Sequence, residues 1–300
     1  MGDLLHILGA ALERGSLALI LALSLAAIWL APVLSSADAV RRWRLLMVLL
    51  VVTAVATGID LILRSAALAD VPPGEAWGFV PRVLGHSDYG YFWLWRAGVW
   101  GLMLAAALWL WRGWRALPSL LLFVAALATL SLISVTGHAG EDGLLTLPNL
   151  INWLHLVGIT LWGGPVILYA LLVLPELRRQ GWPAQTATVA TRLSTLATGA
   201  LALVLLSGVY NSWRQLGRLS DLWTTDYGWL LLLKLGLVAL MMIVGALNRF
   251  RMVPRIAAVH GDAASASHSF LKILLFDSVV FISVLVVAVI LGMQMPPSHS

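Results

Sequence analysis

Two histidines stand at the facing ends of consecutive apolar runs, and their type and spacing suggest metal chemistry. His138 closes one run in SVTGHAGEDG, and His155 stands near the start of the next in NLINWLHLVGITLWGG. About ten residues connect the runs, so we expect the imidazoles at neighbouring helix ends, with His155 one to two turns deeper. Imidazole binds Cu, Zn, Fe and haem iron. The pair is a candidate metal or haem-b site; alternatively, each ring only hydrogen-bonds a backbone carbonyl.

The C-terminal segment GMQMPPSHS adds a second set of candidate ligands. Met293 and Met295 precede His299, and the chain contains no Cys. Thioether and imidazole groups without thiolate favour Cu(I), although Met also fills irregular apolar gaps. His86, in a polar connector, is a further candidate ligand. The lack of Cys excludes disulfides, thiolate metal sites and iron–sulfur clusters.

Three ionisable residues interrupt apolar runs and are candidates for an ion path: Asp60, Lys234 and Asp277. Charged groups inside a bilayer are costly and often mark proton or cation pathways. Alternatively, they are polar ties between helices. We expect Asp60 to pair with Arg96, because both fall near the same end of their runs.

Motifs of soluble enzymes and of nucleic-acid binding are missing from the sequence. It contains no Walker A loop, no G-x-S-x-G and no H-E-x-x-H. The basic residues are scattered singly rather than grouped with aromatic residues, so we expect no nucleic-acid partner. We also expect the chain not to be an enzyme.

The elements that carry these residues are membrane spans. The sequence is 60% hydrophobic and 11% charged, with a mean hydropathy of +0.91, whereas an ordinary soluble domain has about 25% charged residues. Lipid is therefore the expected solvent. Runs of about 20 apolar residues predict an all-α integral membrane protein with about eight transmembrane helices in one polytopic domain over residues 1–300. The predicted spans are roughly 15–34, 45–63, 93–111, 118–137, 149–174, 193–212, 227–247 and 270–292.

The N-terminal segment and the connectors suggest an orientation. Residues 1–14 lack a cationic leader, so we expect an interfacial helix or an outward extension of the first span rather than a signal peptide. The connectors that follow the first, third, fifth and seventh spans, with the span ends beside them, carry twelve Lys and Arg. The N-terminal segment and the remaining connectors, with the span ends beside them, carry six. The positive-inside rule then places both termini on the outer side.

The order of several short motifs resembles the bacterial copper-resistance D (CopD) family of inner-membrane proteins. The matching segments are Gly137-His138-Ala139, His155 to Gly164, Ser207 to Trp213, Thr225 to Leu235, Gly245 to Arg249 with Pro254, and the tail Pro296-Pro297 with His299. Two features depart from the family pattern, namely Asp277 in place of a Glu and the Met-Gln-Met before the tail. We expect the glycines at 137, 163 and 164 to be close-packing points between helices.

The resemblance implies a multi-pass protein of the bacterial inner membrane that accepts copper at the periplasmic face and passes it toward the cytoplasm. His138 and His155 would accept the copper, and Met293, Met295 and His299 would capture it on the outer side. Because no copper-binding β-domain is fused to the sequence, the implied donor is a separate CopC-like periplasmic protein. The oligomeric state stays open.

Two other functions remain open from the sequence. The same histidines could ligate haem b in a membrane redox protein, because bis-His ligation across helices needs only such a pair. Alternatively, the bundle is a docking or assembly factor in which the histidines are structural.

Overall fold

The structure, a computed structural model, describes residues 2–30, 39–113, 116–137, 143, 145–181, 183–257 and 263–299. The side chains of residues 183, 257, 263, 264 and 299 lie outside the description. Within these ranges the regular structure is helical and contains no strand.

Twelve α-helices follow one another along the described chain. They are α1 Gly2–Trp29, α2 Ala39–Ala69, α3 Val80–His86, α4 Asp88–Leu110, α5 Ala116–Val135, α6 Leu147–Leu168, α7 Leu174–Gln180, α8 Pro183–Gln215, α9 Asp221–Thr224, α10 Asp226–Leu247, α11 Val253–Ala257 and α12 Ala263–Met293. Short 3₁₀ turns cover Pro73–Gly78 and Pro297–His299, and π-helical segments cover Tyr169–Val173 and Asn248–Met252. Eight helical stretches of the described chain are long and apolar enough to cross a membrane. The predicted all-α membrane fold with about eight spans is confirmed, whereas the side on which the termini lie stays a prediction.

Most helices are longer than the apolar runs that predicted them. Helix α2 covers Ala39–Ala69 where the apolar run covers 45–63, and α8 covers Pro183–Gln215 where it covers 193–212. Hydrophobicity marks only the part of a helix inside hydrocarbon, and the backbone ladder continues beyond it. Helix α1 begins at Gly2, so the described N-terminal residues extend the first span.

The described chain divides into two compact units, the first ending at Leu156 and the second beginning at Val157. In the first unit, α1 packs against α2 and α5, and α4 packs against α2 and α5. The buried side of α1 carries apolar residues at helical spacing, including Leu17, Ile20 and Leu21. Helix α1 is thus a central element of this unit. The prediction of one polytopic domain over residues 1–300 stays a prediction.

Tryptophan indoles tie the helices of the first unit together. Trp43, Trp93, Trp100 and Trp153 each donate from Nε1 to a backbone carbonyl of a different helix, over 2.9–3.1 Å. The sequence places many Trp near span ends, which is typical of interfacial anchors. These four indoles also fasten helix to helix, because hydrocarbon supplies no water as a partner.

The second unit contains two π-helical segments that share a sequence context. Tyr169–Val173 is followed by Leu174 and Pro175, and Asn248–Met252 is followed by Val253 and Pro254. In each, the residue before proline donates its N–H to the first carbonyl of the segment, five residues back. Proline has no N–H, and its ring clashes with the carbonyl four residues earlier. The wide turn relieves that clash.

Helices α6 and α12 approach each other closely at Gly163 in the second unit. A Cβ atom added at Gly163 would lie 2.0 Å from Cε2 of Phe281. The Phe281 ring therefore fills the space that any side chain at residue 163 would need. This contact matches the close-packing role expected for Gly163.

Candidate functional site

A polar cluster ties the ends of α5 and α6 where the predicted histidine pair begins. The Ser134 hydroxyl donates to Oδ1 of Asn149 over 2.7 Å, and Nδ2 of Asn152 donates to the Ser134 hydroxyl over 2.9 Å. Ser134 and Asn149 are buried. We did not predict these residues from the sequence. The feature of the sequence that could have identified them is the pair of asparagines one turn apart in an apolar run.

His155 lies on α6, one turn beyond Asn152. Its side chain is buried, with 8% of the residue exposed. It stands eight residues after the start of α6 at Leu147, which corresponds to about 12 Å along the helix. His155 is thus about two turns away from the start of α6, and its depth below the membrane surface stays a prediction.

His138 falls in residues 138–142, which lie outside the described residues. It follows Ser134 by four residues in the sequence. The pairing of His138 with His155 therefore stays a prediction.

The remaining predicted ligands are spread over the described chain. His86 is exposed at the end of α3, and its Nδ1 lies 3.3 Å from the Arg82 carbonyl oxygen. Met295 is exposed, Met293 is half-buried, and the side chain of His299 lies outside the description. In the part of the chain that the structure describes, no group of three or more His, Asp or Glu side chains is placed to hold a metal ion.

A buried ion pair joins α1 to α4 in the first unit. Nη2 of Arg96 donates to Oε1 of Glu13, and the two side chains are 4% and 7% exposed. Thr57 of α2 donates to the same Glu13 oxygen over 2.7 Å. Glu13, which the sequence did not lead us to predict as a partner of Arg96, is the main partner of that residue. The feature of the sequence that could have indicated its burial is the helical spacing of Glu13 with Gly9, Ser16 and Leu17, which lie on the same face of α1.

Asp60 extends this ion pair into a network. Its Oδ2 lies 3.6 Å from Nη1 of Arg96, which confirms the predicted pair, and accepts a hydrogen bond from Tyr89 over 2.6 Å. Its Oδ1 faces Nε2 of His6 at 3.7 Å and Nε of Arg64 at 3.9 Å. With two arginines beside it, the Asp60 carboxylate is already compensated, so these contacts favour a structural role over the binding of a passing cation.

Asp277 lies in a different environment in the second unit. It is 2% exposed in the middle of α12, and its Oδ1 has no hydrogen-bond partner among the described residues. Asn248 is also buried, and its Oδ1 also has no hydrogen-bond partner among the described residues. Lys234 is half-buried on α10. Asp277 is thus a buried carboxyl for which the described chain supplies no counter-ion.

Two family models match the chain over most of its length. The model described as "Copper resistance protein D-like, N-terminal domain" matches residues 1–147, and "Copper resistance protein D" matches residues 187–291. The chain belongs to the copper resistance protein D family. The Glu13–Arg96–Asp60 network and Asp277 fall inside the matched regions, whereas His155 lies between them.

The chain matches two curated relatives, each over only part of the relative's length. The copper transport protein CutJ of Bacillus subtilis (strain 168) is 27% identical over 206 residues, which is 64% of this chain and 37% of the relative. The inner membrane protein YebZ of Escherichia coli (strain K12) is 31% identical over 181 residues, 60% of each chain. The chain therefore spans less than two thirds of either relative's length. No solved structure matches it.

Proposed function

We propose that this chain is a copper transport or copper homeostasis protein of the bacterial inner membrane. It accepts copper at the periplasmic face and passes the metal toward the cytoplasm, and both of its termini lie on the periplasmic side. Membership of the copper resistance family and the names of the two relatives support this proposal. The observation that carries the site is His155, an imidazole buried in a membrane span beside a polar cluster.

In this proposal His138 and His155 form the acceptance site. Neutral imidazole is a good ligand for copper in either oxidation state. The Ser134, Asn149 and Asn152 contacts hold the end of α5 against α6, and this fixes the part of α6 that carries His155. Ligand geometry depends on such supporting contacts.

The proposed outer capture site consists of Met293, Met295 and His299, and His86 remains a further candidate ligand. The exposed thioether of Met295 suits exchange with a soluble donor, because a ligand that hands over metal must be reachable from water. A CopC-like periplasmic copper protein is the proposed donor. Of the three ion-path candidates Asp60, Lys234 and Asp277, we keep Lys234 and Asp277 as the proposed residues of an ion path, because the two arginines beside Asp60 favour a structural role there.

Copper uptake tests the proposal. Proteoliposomes that contain the wild-type chain should accumulate copper, and the double variant His138→Ala/His155→Ala should not exceed empty vesicles. His268→Ala is the matched control, because His268 is an exposed histidine on α12 whose Nδ1 lies 3.3 Å from Nη2 of Arg178. Wild-type uptake in the double variant would refute the assignment of the histidines. A haem spectrum in the purified protein would favour the redox alternative.

A further inference from the structure

The buried face of α12 contains one carboxyl among apolar side chains. Phe270, Leu274, Phe281 and Val284 are each at most 4% exposed, and Asp277 shares their face at helical spacing. Oδ1 of Asp277 has no hydrogen-bond partner, and no ion pair to the side chain occurs among the described residues. An ionised carboxylate in such surroundings is strongly disfavoured unless it is paired.

Contacts along α12 place Asp277 at a definite level of the second unit. Leu291 clusters with Tyr227 and Leu231 in the first turns of α10, and α12 also contacts the π segment that follows α10. The two helices are therefore antiparallel. Asp277 precedes Leu291 by fourteen residues, or about 21 Å, which brings it level with about residues 241–245, in the last turns of α10 before Asn248.

Asp277 also lies level with the end of α6, close to the π segment that follows this helix. Phe281 contacts Gly163, and Asp277 is one turn of α12 away from Phe281. Helix α12 also contacts the π segment Tyr169–Val173. Both π segments of the described chain therefore pack against the helix that carries Asp277, and π turns inside α-helices occur frequently at functional sites.

Charged groups on the elements packed against α12 do not pair with Asp277. Arg249 donates from Nη1 to the Ser194 hydroxyl over 3.0 Å and to the Thr198 hydroxyl over 3.2 Å. Arg251, Arg255 and Lys272 are exposed. Lys234 lies about 13 Å farther along α10 by the same register. Helix α7 also contacts α12, through Arg178 and His268. The other titratable or charged groups on these elements are Tyr169, Glu176, Arg178, Arg179, Arg192, Tyr210, Arg214, Asp226, Tyr227 and His268, and the described contacts pair none of them with Asp277.

The chemistry of the surroundings selects the cation that such a carboxyl can hold. Divalent metal ions need several oxygen ligands, and the described residues form no group of three His, Asp or Glu side chains around any point. A proton needs only the carboxyl itself and leaves it neutral. Asn248, whose Oδ1 is also without a hydrogen-bond partner, is a second buried polar side chain on an element that packs against α12.

We propose that Asp277 is a proton-binding site that is protonated at rest and exchanges its proton as the copper cation passes. The carboxyl O–H bond breaks, the proton leaves to water, and the carboxylate that remains offsets one positive charge of the cargo. The reverse step restores the O–H bond. The proton site stands on the structure alone, and its coupling to copper rests on the proposed function.

Infrared spectroscopy tests the proton site without any copper. The full chain in lipid should show the carbonyl stretch of a protonated carboxyl at neutral pH, and Asp277→Asn should remove it. Glu176→Gln is the matched control, because Glu176 is a buried carboxyl of the same unit that accepts a hydrogen bond from Gln180; it should leave the band unchanged. If Asp277→Asn does not fold, Asp277→Glu should shift the frequency of the band. No band in the wild type, or the same band in every variant, would overturn the proposal.

Copper uptake under an imposed pH gradient tests the coupling. The gradient should change the uptake rate of wild-type proteoliposomes and of Asp277→Glu, and should have no effect on Asp277→Asn. An equal gradient effect in Asp277→Asn would overturn the coupling. A wild-type chain that shows the infrared band but transports no copper would refute the proposed function and leave the proton site in place.

Discussion

Arg96 is a buried cation in a membrane span, and its stability depends on two carboxylates. Glu13 contacts its Nη2, and Asp60 lies 3.6 Å from its Nη1. Breaking one partner of a buried ion pair is more harmful than removing both, because the remaining charge is left without compensation. The network therefore joins α1, α2 and α4 only while it is complete.

Replacing Glu13 with Ala should destabilise the protein strongly. We expect a loss of about 3–5 kcal/mol in the free energy of unfolding, measured by denaturation in detergent. Asp3→Ala is the matched control, because Asp3 is an exposed acid on the same helix, and it should have little effect. The double variant Glu13→Leu/Arg96→Met should be more stable than Glu13→Ala. A Glu13→Ala protein as stable as the control would contradict this account.

Ser134 connects both asparagines of the hairpin that carries His155. Replacing it with Ala removes the hydroxyl that Asn149 and Asn152 contact and should destabilise the protein by about 1–2 kcal/mol. Ser283→Ala is the matched control, since the exposed Ser283 hydroxyl only donates to the Val279 carbonyl of its own helix. Equal denaturation midpoints for the two variants would show that the contacts of Ser134 with Asn149 and Asn152 contribute nothing to the stability of the protein.

The helices differ in how far their irregularities could be read from the sequence. Apolar runs predicted the eight spans, because the bilayer imposes their length. The π segments were not predicted, although Pro175 and Pro254 were visible, because a proline only signals a disturbed ladder and not how the helix absorbs it. The position of His155 near the start of an apolar helix was predictable from the sequence, whereas the burial of Glu13 was not, because it depends on which helices surround α1.

The contact between α6 and α12 at Gly163 should not tolerate a side chain. Gly163→Ala places Cβ against the Phe281 ring, and we expect a destabilisation of about 1–3 kcal/mol from overpacking. Gly236→Ala is the control: nothing lies within 4 Å of its added Cβ, and it should be neutral or stabilising by up to about 1 kcal/mol. The double variant Gly163→Ala/Phe281→Leu should recover stability relative to Gly163→Ala. Thermal denaturation in detergent measures all three, and no loss in Gly163→Ala would contradict the close approach.

The orientation of the chain in the membrane is predicted from the distribution of Lys and Arg and can be tested directly. Because the sequence contains no Cys, single introduced cysteines report their side without background. We expect a membrane-impermeant maleimide to label Glu75→Cys and Leu219→Cys in intact cells, and to label Arg112→Cys and Arg255→Cys only after lysis. The reverse pattern would place the termini in the cytoplasm and the histidine pair on the wrong side for a periplasmic donor.

Metal content decides most directly whether the buried histidine belongs to a copper site. Protein purified in detergent and exposed to metal only in the last step would be measured for copper, iron and zinc by mass spectrometry and for its visible spectrum. We expect a colourless wild-type protein that retains copper, and loss of that copper in His138→Ala/His155→Ala but not in His268→Ala. A Soret band with stoichiometric iron, or copper that persists in the double variant, would contradict the account.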